Sequence, residues 1–272
     1  MRLIEPEVEE IKQEPGLEGI YKQIAIAGRI CYASDKIDGN KEFVERLIKA
    51  GHGRPLEFGT VYLTIPITYC INNPGINELC SNHWTKFNTE DISQSKFLHI
   101  TTNYRVIVEN EFEYLFKFLV EPTKYHYKRK TFHWTISRGI ADEFRTHCAL
   151  SSLMQSTRYC DYSKNKFNNE LTFIRPHWIS SCEYDNCSSN ERRFFAGLNR
   201  IEYDYLKFRQ LGYKPEQARE VLPLSIKTEF IQCGFESDWE HFFDLRMRGT
   251  TGAPHPDAKF IAEKAYEIYK TS

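Results

Sequence analysis

A histidine, several hydroxyls and two arginines crowd the run DEFRTHCALSSLMQSTRYCDYSK, from Asp142 to Lys164. Residues 138–155 read as a helix. At about 100° per residue, His147, Ser151 and Arg158 would project from one face if that helix ran far enough. An imidazole, a hydroxyl and a guanidinium on one face suit a polar ligand. Ser156 would fall on the opposite side and fits better in a polar turn over 156–165. There its hydroxyl, exposed backbone N–H groups and Arg158 could hold an anion. Arginine offers a planar fork of donors matched to phosphate oxygens. The plainer reading is a surface helix, a polar loop, and Arg158 in an ordinary salt bridge.

The elements that must position these groups follow from periodicity. Residues 41–51 have helical spacing and stop at Gly51, a natural cap. Residues 58–68 and 127–137 alternate β-branched and aromatic side chains, as strands do. Residues 98–107 read as extended chain entering a helix, and 71–86 include another helix. Residues 18–33 fit either a strand or a helix, and 224–233 are helical or extended. The amphipathic run 190–211 is strongly helical, and a short helix starts at Pro215. Helices over 237–247 and 256–270 close the chain. The polar stretch 182–190 reads as a loop. The mixture is α/β with long helices. With no repeats or linkers, residues 1–272 read as a single domain.

Composition excludes several classes. The net charge of −1 gives no bulk electrostatic case for a nucleic acid polymer or a membrane surface. No segment approaches the roughly 20 apolar residues that span a bilayer. The N-terminus is acidic and lacks an apolar signal core, so the chain reads as soluble and cytoplasmic. Its 8 cysteines are scattered without a CxxC pair. They read as reduced thiols, and no metal is expected. Gly-rich phosphate loops are absent.

Further landmarks stand in order along the chain. Gly28-Arg29-Ile30-Cys31-Tyr32 comes first, then Gly51-His52 and Leu56-Glu57-Phe58-Gly59-Thr60-Val61-Tyr62-Leu63. After Ser156-Thr157-Arg158-Tyr159 come Gln217-Ala218-Arg219-Glu220-Val221-Leu222-Pro223 and Trp239-Glu240-His241-Phe242-Phe243-Asp244-Leu245-Arg246. This order resembles the flavin-dependent thymidylate synthases, whose Ser-x-Arg-Tyr loop, Arg-x-Val-Leu-Pro segment and Leu-Arg helix it follows. The resemblance implies that family's fold, a mixed sheet with long helices. It also implies reductive methylation of dUMP to dTMP with methylenetetrahydrofolate, FAD and NADPH, in a homotetramer whose sites are each shared between subunits.

By the same resemblance Glu143, Ser156, Arg158, Tyr159, Arg219 and Arg246 serve the nucleotide. His147, Ser151 and His241 fall on the cofactor side, and Arg246 with His147 stands closest to the chemistry. Three arginines around a phosphorylated pyrimidine are physically sensible. A dianionic phosphate needs charged donors, and negative charge developing on the uracil carbonyl needs another. Arg29 is better read as an ordinary salt-bridge residue.

The cofactor side departs from the family pattern. Thr146 and Cys148 stand where the family's Arg-His-Arg has arginines, Phe58 replaces a histidine, Phe235 an asparagine, and Met154 an acid or amide. Arg145 lies one position early and points about 100° away on a helix. Each lost charged hydrogen bond removes about 1.5–3 kcal/mol if it touched the cofactor. Flavin is therefore expected to bind in a changed way or weakly, or the site holds something else. Two other outcomes stay open: a 5-hydroxymethylase, in which water traps the methylene intermediate, and a nucleotide-binding homologue with little catalysis.

Overall fold

The computed structural model describes residues 1–33, 39–89 and 96–272. In chain order its elements are β1 (Arg2–Ile4), β2 (Glu7–Glu10), α1 (Gly16–Tyr32), α2 (Asn40–Lys49), β3 (Thr60–Pro66), α3 (Ile67–Ile71), α4 (Gly75–Ser81), β4 (Lys86–Thr89), β5 (Phe97–Asn103) and α5 (Tyr104–Glu109). Next come β6 (Arg129–Ser137), α6 (Arg138–Phe144), β7 (Ser151–Met154), β8 (Thr172–Ile174), α7 (Ser189–Gln210), α8 (Pro215–Ala218), β9 (Lys227–Phe235), α9 (Glu236–Phe243) and α10 (Pro256–Thr271). The α/β class holds. Within it the two larger sheets, β2-β6-β9-β7 and β3-β5-β4, are antiparallel, and among the described residues parallel pairing is confined to β1 with β8.

The expected alternation along β6 is present. Phe132, Trp134 and Ile136 are buried on one face of the sheet, where α6, α9 and α10 cover them. The Trp134 ring lies 5.2 Å from Phe144 of α6 and 5.8 Å from Phe242 of α9. On the opposite face α1 packs Ala27 against Phe58, Ile231 and Cys233. A second core joins α1 and α2 to β3, β5 and α5 through Val44, Leu63, Ile100 and Ile107. Arg29 donates to Asn40 at 3.1 Å and lies 4.8 Å from the Phe43 ring, tying α1 to α2.

Helix α2 ends as read. Gly51 takes φ +70°, and the N–H groups of Gly51 and His52 return to Ile48 and Leu47, the double bond of a glycine-terminated helix. Helix α7 begins at a reciprocal cap in which Ser188 and Glu191 satisfy each other's backbone N–H.

One expectation is corrected. The helix read over 138–155 stops at Phe144, and residues 151–154 form β7 against β9. Thr146 donates its hydroxyl back to the Glu143 carbonyl at 2.8 Å, and Leu150 N–H turns onto His147 O at 3.0 Å. Thr, Cys and paired Ser residues support helix weakly, so an open strand edge wins them. His147, Ser151 and Arg158 therefore do not share a helix face. The ambiguous segment 224–233 resolves as β9, a central strand whose side chains from Phe230 to Cys233 are buried on both faces.

Phe58 is fully buried among Ala27, Ile231 and Cys233. Restoring the family's histidine by Phe58→His would bury an imidazole in an apolar site. It should lower unfolding stability by about 1–3 kcal/mol. Denaturant melts of the two proteins measure this, and an unchanged midpoint would contradict the packing argument.

Candidate active site

Arg246 is the hub of the polar cluster at the ends of α6 and α9. It sits in a π-helical turn, Asp244–Arg248, that continues α9. Its Nε donates to His147 Nε2 at 2.8 Å, and its Nη1 donates to the Glu143 carboxylate. Its Nη2 donates to the Glu143 carbonyl at 3.1 Å and to Thr146 Oγ1 at 3.0 Å. Four of the five guanidinium N–H groups are thereby used. Thr146, weighed in the sequence only as a missing arginine, is one of the groups that hold Arg246. Nothing local signals that contact, because the two residues lie 100 positions apart.

His147 is 8% exposed, and its ring centroid lies 6.2 Å from that of His241. Burial, then Arg246, then His241 push its pKa down to about 4. The imidazole is neutral at pH 7, accepts from Arg246 on Nε2 and carries its proton on Nδ1. A cleft of about 220 Å³ opens beside the pair, lined among others by Thr146, Cys148, Asp238, His241 and Leu245.

Arg158 and Arg219 gather elsewhere. The Ser156–Tyr159 turn is pinned by Ser156 N–H to Cys31 O at 2.9 Å and by Tyr159 and Cys160 N–H groups to Ser156 O. The Ser156 hydroxyl accepts Arg158 N–H at 3.3 Å, as the polar turn implied. Arg158, 56% exposed, lies 3.6 Å from Glu216, and Arg219 donates to Thr157 Oγ1 at 3.3 Å. Glu216 and Thr157 were not foreseen as members of this cluster. The Arg158–Glu216 pair is a solvent-facing contact worth about 0–1 kcal/mol, which an incoming phosphate can displace.

No hydrogen bond or ion pair among the described residues joins the two clusters. They flank β7, whose ladder with β9 continues through Gln155 N–H to Glu229 O at 2.8 Å. From Ser151 to Gln155 the strand covers about 13 Å. Ser151 belongs to neither cluster. Its fully buried hydroxyl donates to Glu57 Oε2 at 2.6 Å, and Arg105 holds the other oxygen of that carboxylate at 2.8 Å. Arg145, at the surface, pairs with Asp142 at 3.3 Å and does not replace Thr146.

The cofactor side fits a flavin in part. His147, His241 and Leu245 suit a flat ring. Among the described residues lining that cleft, Arg246 is the one arginine or lysine, and Glu143 already neutralises it. The cleft thus provides poorly for two phosphates. No group of three or more His, Cys, Asp or Glu side chains among the described residues is arranged to hold a metal, and no helix there is long and apolar enough to cross a membrane.

Residues 126–271, more than half of the chain, match the family described as thymidylate synthase complementing protein. The chain belongs to that family. A probable flavin-dependent thymidylate synthase of Paramecium bursaria Chlorella virus 1 is 26% identical over 154 residues, 50% of this chain and 69% of the relative. Among solved structures, the UMP/dUMP methylase PolB of Streptomyces cacaoi bound with 5-Br UMP aligns with a TM-score of 0.48 at 13% identity, over 100% of this chain and 92% of that one. The same methylase bound with 5-Br dUMP aligns with a TM-score of 0.48 at 14% identity, over 100% and 93%.

The depressed His147 pKa has a stability consequence. The folded value, about 4, lies below the ordinary 6.5, so the unfolded chain takes up the proton first as pH falls. His147 should therefore cost native stability progressively between pH 6.5 and about 4 and have no such effect above that window. A His147→Asn variant should lose that part of the pH slope in denaturant melts at pH 7, 5.5 and about 4.5. An imidazole that titrates near 6.5 by NMR would contradict the assignment.

Proposed function

We propose that this protein is a flavin-dependent thymidylate synthase. It methylates C5 of dUMP to give dTMP, with methylenetetrahydrofolate as carbon donor and NADPH as reductant. The observation that carries the reading is the Glu143–Thr146–His147–Arg246 assembly, found in a chain of this family. Three neighbours fix the guanidinium, and one N–H remains. That donor suits a pyrimidine carbonyl on which negative charge develops, and it needs no reorganisation at the moment of reaction. The neutral His147 holds the guanidinium without adding a competing positive charge. Arg158 and Arg219, with the Ser156 hydroxyl, suit the dianionic phosphate.

The net change is balanced. C5 loses its hydrogen as a proton and gains the one-carbon unit from the folate, and NADPH supplies the hydride that completes the methyl group. The proton from C5 and one from solvent complete the two N–H groups of tetrahydrofolate, which leaves with NADP⁺. Bound FAD, bordered by His147 and His241, would relay that hydride. The separation of the two arginine clusters along β7 leads to a site shared between copies of the chain. The phosphate is held by Arg158 and Arg219 of one, and the pyrimidine by Glu143, His147 and Arg246 of another.

Anaerobic incubation of dUMP with the protein, methylenetetrahydrofolate, FAD and NADPH should add the mass of a methylene group, turning C5–H into C5–CH₃. Unchanged dUMP or a hydroxymethyl product would sink the reading. Arg158→Ala and Arg246→Ala should each lower kcat/KM by about 10–10²-fold, since each removes a charged hydrogen bond of about 1.5–3 kcal/mol. Mixed and reassembled, the two impaired variants should regain activity, because one of the shared sites is then intact. Were both residues to serve one site within a chain, mixing would restore nothing.

A further inference from the structure

A second cleft, of about 270 Å³, adjoins the first across the start of α9. It is lined by Lys86 and Asn88 of β4, by Lys124, Tyr127 and Lys128 of the segment before β6, and by Phe235 at the end of β9. Among the described residues Glu236 is the one carboxylate in its lining, against three lysines. His126, also in the wall, adds no charge. Burial lowers its pKa, and its ring nitrogens face Thr123 N–H at 3.0 Å and Leu63 O at 3.1 Å.

Phe235, where the family has an asparagine, organises this cleft. Lys86 Nζ lies 4.4 Å from its ring centroid, and Arg129 Cζ lies 5.7 Å from it. An aromatic ring between cations attracts each through its quadrupole. Lys86 also donates to Ser237 Oγ at 2.5 Å and lies 3.8 Å from Asp238 Oδ1. Asp238 in turn lines the His147–His241 cleft and accepts Phe235 N–H at 3.0 Å. Asp238 therefore connects the two clefts, lining the first and facing Lys86 of the second. One suits a flat ring but lacks cations for phosphates, and the other carries exposed cations beside an exposed tyrosine.

We infer that the Lys86–Lys124–Lys128 cleft binds the pyrophosphate of a dinucleotide cofactor, doing what guanidiniums at positions 146 and 148 would otherwise do. The inference rests on the cofactor requirement proposed above. FAD and NADPH both carry this chemistry, and binding measurements separate them.

Flavin fluorescence and NADPH fluorescence should be titrated with the full-length wild type, Lys86→Met, and the doubly substituted Lys124→Gln/Lys128→Gln protein. FAD affinity should fall at least tenfold in both variants and become less dependent on salt. FMN affinity should fall less, and inorganic pyrophosphate should compete with FAD in the wild type. A loss confined to NADPH would support the cleft with the nicotinamide dinucleotide as its occupant. Unchanged affinity for both dinucleotides, or a wild type that binds neither of them, overturns the inference. The exposed double variant keeps the test valid if Lys86→Met fails to fold. Binding of dUMP should be unchanged in these variants, so failure of the nucleotide site is read separately, through Arg158→Ala.

Discussion

The nine-residue antiparallel pairing of β6 with β9 is the constraint on which the rest depends. Each strand runs straight into a helix, β6 into α6 at one end of the pair and β9 into α9 at the other. Both helices fold back over the same apolar face, because Phe132, Trp134 and Phe230 there must be covered. Phe144 and Phe242, one from each helix, meet at 4.8 Å. The helices therefore end beside each other, and Glu143 and Arg246, 103 residues apart in sequence, become hydrogen-bond partners. The position of the guanidinium is a consequence of aromatic packing beneath it.

Charge balance explains why that position is tenable. Arg246 is only 18% exposed, and a half-buried cation needs a full set of acceptors. Glu143 supplies a carboxylate and a carbonyl, Thr146 a hydroxyl, and His147 a nitrogen that remains an acceptor because its proton is on the other side of the ring. A second guanidinium at position 146 would displace one of those acceptors and add repulsion. The altered Arg-His-Arg segment is thus self-consistent as a binding cluster for one cation.

The readable parts of the fold were those whose signal is local. β6 alternates, α7 is amphipathic with its own cap, and Gly51 terminates α2, each within a short window. β9 was ambiguous because a central strand buried on both faces has no alternation to read. The helix over 138–155 was misread because His147 and Ser151 are spaced four apart, a spacing that fits a helix, while the partner that makes a strand of residues 151–154 lies about eighty residues later. The same distance hid the contacts of the site. Arg246, Arg158 and Arg219 were identified by resemblance, but which of them share a cluster depends on long-range packing. Ser151 shows the error plainly, since its hydroxyl supports Glu57, 94 residues away.

The strand at β7 also changes the geometry of recognition. Four residue steps cover about 6 Å in a helix and about 13 Å in a strand. As a helix, the segment would set His147 and Ser151 on one side of a single pocket, with Arg158 near them. As a strand, it carries the Ser156–Tyr159 turn to the end of α1, where Cys31 anchors it, and leaves His147 at the end of α6. Neither end is complete. One has a nearly spent guanidinium and a neutral imidazole, suited to a polar ring. The other has two lightly paired arginines, suited to a phosphate. For the proposed function a nucleotide monophosphate needs both ends, and the strand between them is the reason for proposing that the second half comes from another copy.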